Sequence, residues 1–188
     1  SIGWRPIEAV VEGDLVLTFD GGLQPVKKVI RKQLWAGQAE AADWPLFVPA
    51  GALGNREDMH VLPQQLILVE SDTAEEVLGD PFALIPAAAL DGFRGITRMR
   101  PGEVVETVEL QFEGEEIAFA NIGALFLCRG AGDLLDMAES AYRPLSLDQA
   151  QILVDCLAEE DRGYVPVAEA AAELLAADVA LLPCVVAE

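Results

Sequence analysis

One histidine, His60, serves a chain of 188 residues, so hardly any side chain titrates near neutral pH without help from its surroundings. Positive charge is scarce as well: 12 Lys and Arg face 32 Asp and Glu, for a formal charge of −20. A surface of that sign repels phosphate backbones and anionic lipid, which speaks against nucleic-acid and membrane partners. No stretch reaches the roughly 18 consecutive apolar residues of a membrane span, and the N-terminus lacks the basic-then-apolar pattern of a signal peptide. The three cysteines, Cys128, Cys156 and Cys184, are odd in number and 28 residues apart each time. No two have CxxC or zinc-ligand spacing, so free thiols in a reducing, cytoplasmic setting are expected, with no metal and no cofactor. No glycine-rich phosphate loop is present, and strands do not alternate with helices of 10–15 residues, which excludes a doubly wound nucleotide fold.

What is present is apolar: 52% of residues are hydrophobic and the mean hydropathy is +0.30, enough for a sizeable core. The acids are uneven, 14 against 9 bases in residues 1–100 and 18 against 3 bases thereafter. Residue 1 is Ser, which fits either a trimmed initiator Met or a natural start further upstream.

The first two-thirds reads as short strands divided by turns. "DLVLTFDGGLQPVKKVI" is β-favouring and broken by Asp20-Gly21-Gly22, a tight-turn signal. Its basic cluster, Lys27-Lys28 with Arg31-Lys32, interleaves with Val29 and Ile30 and reads as the wet side of a strand pair. "PLFVPAGALG", "HVLPQQLILVE" and "FALIPAAAL" follow as strands, then "VVETVELQFEGEEIAFANIGALFLC", which turns at Glu113-Gly114. "FVPAGAL" (Phe47–Leu53) is echoed by "LIPAAAL" (Leu84–Leu90), each an apolar strand end, a Pro and a short Ala-rich turn. Beyond about Gly132 the pattern turns helical. "LSLDQAQILVDCLAEED" opens with Ser146 and Gln149 in capping-box spacing, and Leu147, Ala150, Leu153, Val154 and Leu157 form one face. "VPVAEAAAELLAADVALL" is a second helix candidate, with Pro166 in its first turn.

The opening segment "GWRPIEAVVEGDLVLTFDGGLQPVKKV" resembles the start of a Hint domain, the fold shared by hedgehog autoprocessing domains and inteins, and resembles its bacterial branch most. "VPAGALGNREDMHVLPQQLILVE", "ALIPAAAL" and "VELQFEGEEIAFANIGALFLC" resemble later segments of that family in the expected order. The resemblance implies a compact β-domain with pseudo-two-fold halves over residues 1–131, and the helical pattern that follows is expected to form an extension over 132–188 packed on it.

It also implies a chemistry of self-cleavage or protein splicing: an N-terminal Cys or Ser attacks the preceding carbonyl, and a histidine acts on the scissile amide. The residues at the matching positions depart from that pattern. The nucleophile belongs some ten residues before Gly3, so Ser1 is not expected to fill the role. The histidine block falls on Leu62-Pro63-Gln64-Gln65, placing Leu62 and Gln65 where Thr or Ser and His belong, and Gln65 exchanges no proton near pH 7. His60 is expected to be a surface or loop bystander. The closing-strand acid falls at Glu115 or Glu116. Phe126 and Leu127 hold the His and Asn places of an intein ending, with Cys128 after them, and Leu127 has no amide to cyclise. The expectation is a degenerate site on a Hint scaffold that acts as a structural or protein-interaction module, its partner surface on the C-terminal helices. The alternative is an active autoproteolytic domain whose nucleophile lies upstream of residue 1. From the residues alone, Glu113, Glu115 and Glu116 also permit a hydrolase pair or a Ca²⁺ site, against solvated charge on a turn.

Overall fold

The computed structural model describes residues 3–35, 40–102, 104–132 and 142–162. In chain order its strands begin with β1 (Leu15–Thr18), β2 (Gly22–Pro25), β3 (Lys28–Trp35), β4 (Leu46–Val48), β5 (Met59–Val61) and β6 (Leu66–Glu70). Helix α1 (Asp72–Leu78) precedes β7 (Phe82–Pro86), β8 (Thr97–Arg98), β9 (Val104–Gln111), β10 (Glu116–Ala120) and β11 (Ala124–Cys128), and α2 (Leu147–Asp161) follows. The chain is mainly β. A six-stranded sheet runs β2-β1-β10-β11-β6-β7, β3 and β9 form a two-stranded ribbon, and β5-β4-β8 make a third sheet.

Local chemistry accounts for most of these elements. The Asp20-Gly21-Gly22 turn joins β1 to β2, with Gly22 at φ 67°. The buried Thr18 secures the turn: its hydroxyl donates to the Gly22 carbonyl at 3.1 Å and accepts from the Gly21 N–H at 3.2 Å. The basic cluster lies along the ribbon, where Lys27 meets Glu113 at 2.6 Å, Arg31 meets Glu106 at 3.4 Å and Lys32 meets Glu109 at 3.6 Å. Exposed pairs of this kind gain little in water and are screened by salt, so they favour the register more than they stabilise the fold.

"HVLPQQLILVE" is two strands rather than one. β5 ends at Val61 in the three-stranded sheet, the chain turns through Leu62-Pro63-Gln64-Gln65, and β6 opens at Leu66 in the six-stranded sheet. The buried Pro63 has no N–H to offer a ladder, which breaks the run. The two echo segments likewise end strands of different sheets, β4 and β7, and the second continues as a 3-10 turn over Ala87–Leu90. Helix α1 has no counterpart in the sequence reading. Its signals are local: the Ser71 hydroxyl accepts from the Ala74 N–H at 3.2 Å, and Gly79 closes the helix at φ 76°.

Helix α2 carries the full capping box, Ser146 and Gln149 each serving the other's backbone N–H. Its buried face, Ala150, Leu153, Val154 and Leu157, joins the cluster of Leu46, Ile67, Ile85, Leu90 and Phe93, so it packs into the main core of the β-domain. Leu147, expected on that face, is instead 44% exposed at the first turn. The helix ends in three acids, Glu159 to Asp161, which the helix dipole disfavours there. Two contacts offset this. Glu160 accepts from the Thr73 hydroxyl at 2.7 Å, and Asp161 takes two bonds from Arg94, both at 2.6 Å. Arg94 is held at φ 45°, an uncommon region for a side-chain-bearing residue. The second helix candidate, from Val165 on, lies outside the described residues.

The β4–β5 loop and the β10–β11 turn meet backbone to backbone, with Arg56 donating to the Asn121 carbonyl at 3.0 Å. A Cβ on Gly123 would stand 2.4 Å from the Gly54 carbonyl oxygen, so a side chain cannot fit between the β4–β5 loop and the β10–β11 turn. Gly123→Ala is expected to cost at least about 2 kcal/mol by forcing the two loops apart, read as a fall in denaturation midpoint. A second expectation concerns the α2 terminus. Arg94 lowers the Asp161 carboxyl from its ordinary 3.8. Its folded value lies below the unfolded one, so the stabilisation is present above the ordinary range and is lost as pH falls through the folded value. Asp161→Asn should lower Tm by about 1–3 °C at pH 7, since both partners are partly exposed. That difference should close below the ordinary aspartate value, as a pair of thermal melts would register.

Candidate functional site

The turn Leu62–Gln65 is fixed from three directions. Within it, the Gln65 N–H donates to the Leu62 carbonyl at 3.0 Å. From the Ala-rich turn after β7, Ala88 donates to the Pro63 carbonyl at 2.9 Å and Ala87 to the Gln65 carbonyl at 2.8 Å. The side chain of Gln65 then reaches the neighbouring strands. Its Nε2 donates at 3.0 Å to the Leu66 carbonyl and at 3.0 Å to the carbonyl of Leu127, near the end of β11.

Leu127 pairs with Ile117, and Cys128 with Glu116, across the β10–β11 ladder. Leu62, Gln65, Glu116, Leu127 and Cys128 therefore gather at one end of the six-stranded sheet, though they are spread over more than sixty residues of chain. Phe126 is turned away from them and packs against the main core. His60 is far from this arrangement in topology. It sits exposed on β5, with its ring 5.6 Å from that of its cross-strand neighbour Phe47. It is a surface histidine, in a strand rather than a loop. Ser1 lies outside the described residues.

The electrostatics of the cluster suppress reactivity. Burial, helped by the carboxylates of Glu109 and Glu116, pushes the Cys128 thiol up to about 12, and its S–H points to the Phe126 carbonyl at 3.8 Å. A thiol so placed stays protonated at neutral pH and is a poor nucleophile. Gln65 is an amide that donates to carbonyls and moves no proton. Glu113 is engaged by Lys27, which holds its carboxyl below the usual range. Among the described residues no group of three or more His, Cys, Asp or Glu is placed to hold a metal ion.

A cleft of about 340 Å³ opens beside the turn, between Leu62 and Gln64 on one side and the ribbon residues Lys32 to Trp35 with Thr107 on the other. Among the described residues its lining has no Ser, Cys or His, and the Thr107 hydroxyl donates to the Lys32 carbonyl at 3.3 Å.

Tyr142 was not anticipated as a neighbour of this region. Its phenol donates to Asp20 in the β1–β2 turn, and burial together with Asp20, Glu116 and Glu115 raises its pKa. Nothing local in the sequence signals a contact across 122 residues.

In the native protein Cys128 should be alkylated by iodoacetamide at pH 8 more than about 100-fold more slowly than an ordinary free cysteine. Peptide mapping by mass spectrometry distinguishes it from Cys156 and Cys184, and unfolding in urea should abolish the protection.

The Hint domain family model matches residues 1–125, most of the chain, and covers every strand through the first half of β11. Comparison with curated proteins returned no match, nor did comparison with solved structures. With the family match spanning residues 1–125 and falling on this β-architecture, the chain belongs to the Hint domain family.

Proposed function

We propose that this Hint domain has lost the self-cleaving chemistry of its relatives and serves as a structural or protein-interaction module. One observation carries the reading. The side chain in the histidine place, Gln65, is committed to two backbone carbonyls, and the only histidine is exposed on another sheet. Amide cleavage by this family's route needs a proton donor with a pKa near neutrality beside the scissile nitrogen. Gln65 cannot supply that proton, and Cys128 is held too high to replace it. With Leu127 in the Asn place there is no side-chain amide for a cyclisation step. The region after residue 131 supplies the docking surface in this reading. Its described helix, α2, turns its apolar face to its own domain.

A second reading is kept by a specific observation: the scaffold around the site is intact, with Gln65, Leu127, Cys128 and Glu116 assembled as neighbours. An active autoproteolytic domain with its nucleophile upstream of residue 1 needs that scaffold, with Glu116 standing in for the histidine.

Intact-mass spectrometry of the gene product extended upstream of Ser1, incubated with and without a thiol nucleophile, separates the two. A single uncleaved mass over days is the expected outcome. Cleavage ahead of the domain would establish the active reading and reject the first.

A further inference from the structure

Asp-Gly is the step at which a side-chain carboxyl closes most readily on the next backbone nitrogen, because glycine has no side chain to block the approach. The sequence holds two, Asp20-Gly21 and Asp91-Gly92, and both lie exposed in turns where water reaches them. Ring closure needs two freedoms. The carboxyl carbon must swing over the nitrogen, and the nitrogen must be let go by its own hydrogen-bond acceptor.

The fold restrains the two steps differently. At Asp91 the hold is local. The Arg98 N–H donates to Asp91 Oδ1 at 3.1 Å, Arg98 Nε donates to Oδ2 at 3.2 Å, and the Gly92 N–H donates to the Ile96 carbonyl at 2.8 Å. At Asp20 the nitrogen is held locally and the carboxylate from a distance. The Gly21 N–H donates to the hydroxyl of buried Thr18 at 3.2 Å, and Gln24 Nε2 donates to the Gly21 carbonyl at 2.7 Å. The carboxylate accepts from the Tyr142 phenol, 122 residues along the chain and beyond the family-matched residues 1–125. Burial and the surrounding carboxylates of Asp20, Glu116 and Glu115 keep that phenol protonated at neutral pH, so it stays a donor.

Gly21 is also crowded. A Cβ there would stand 2.7 Å from both Gln24 Nε2 and Glu116 Oε2. A larger residue would displace the Gln24 bond, so the turn favours the same glycine that makes the step reactive.

We propose that Asp20 is a modification site at which the chain isomerises to isoaspartate, and that the Tyr142 phenol is the catch that restrains it. The Gly21 nitrogen attacks Asp20 Cγ and an N–C bond forms. One carboxylate oxygen leaves as water, taking the amide proton and a second proton from solvent. Water then adds to the main-chain carbonyl of the five-membered imide and breaks its bond to that nitrogen. The chain now runs through Cγ, one backbone atom longer, with no net change in mass. Thr18 pairs with Gly22 across this turn and with Ala118 on its other side, so the added atom falls where the first hairpin is keyed to β10. The site goes beyond the question of self-cleavage, and either result of the intact-mass experiment leaves it standing.

Incubating the full chain for weeks in neutral buffer tests it. Isoaspartate is counted at each Asp-Gly step by an isoaspartate-specific methyltransferase with a labelled methyl donor, followed by peptide mapping. Wild type should convert Asp20 more slowly than the same chain unfolded in urea. Tyr142→Phe should speed conversion at Asp20 about 5-fold, the effect of one net hydrogen bond, and leave Asp91 unchanged. The same test runs without a substitution: in wild type, urea below the unfolding midpoint should speed Asp20 ahead of Asp91, because the distant catch opens before the whole domain does. Conversion of wild-type Asp20 at the unfolded rate would overturn the proposal. So would an unchanged rate in Tyr142→Phe, or an equal rise at both steps with urea.

Discussion

The backbone contact between Gly54 and Gly123 is the constraint on which the rest of the domain depends. It is flanked by side chains that do the work of backbone. Asn121 exchanges two hydrogen bonds with Glu57, its Oδ1 accepting at 3.1 Å and its Nδ2 donating at 2.6 Å. The buried Asn55 accepts from Leu53 at 3.0 Å and donates to Pro49 and Glu57 at 3.0 and 2.8 Å. The cost is local strain: Asn121 sits at φ 46° and the β-branched Ile122 at φ 80°. In return, the loop leaving the three-stranded sheet is tied to the hairpin that closes the six-stranded one. The chain can then cross from β5 to β6 through so short a turn, and Gln65 arrives opposite Leu127.

The proposed loss of chemistry is compatible with a well-ordered scaffold. A proton-transfer site asks for one or two side chains of the right pKa, while the geometry around them is held by backbone donors on Ala87 and Ala88 and by β10–β11 pairing. A glutamine at such a position offers a hydrogen-bond donor and no exchangeable proton near neutral pH. Gln65 is thus a structural brace between strands β6 and β11.

How much of this was legible beforehand follows the range of the interactions. The Asp20-Gly21-Gly22 hairpin, the ribbon with its alternating bases, and the Ser146–Gln149 capping box are decided within a few residues, and each was readable from the chain. The split of "HVLPQQLILVE" between two sheets was not, because its apolar run looks continuous and only Pro63 marks the break. Helix α1 was short and polar enough to pass for a turn. The contacts that assemble the site, Gln65 to Leu127 and Tyr142 to Asp20, join residues 62 and 122 apart and leave no trace in local pattern. The Asn121-Ile122-Gly123 stretch lies within a segment that resembles the family's closing strands, and its place in the structure is the turn between β10 and β11.

The strand order carries a kinetic consequence. The first hairpin has its only partner inside the sheet in β10, and the long ribbon strand β3 pairs with β9, so neither can be completed until the closing strands exist. On a ribosome β3 and the open edges of β1 and β6 would wait for their partners to emerge, while β1–β2, β4–β5–β8 and β6–β7 can already pair. Folding is then a late, concerted event with high contact order and correspondingly slow closure. During that interval the exposed edges have little charge to protect them, since residues 1–100 hold 14 acids against 9 bases and most of the net charge of −20 arrives with the later residues.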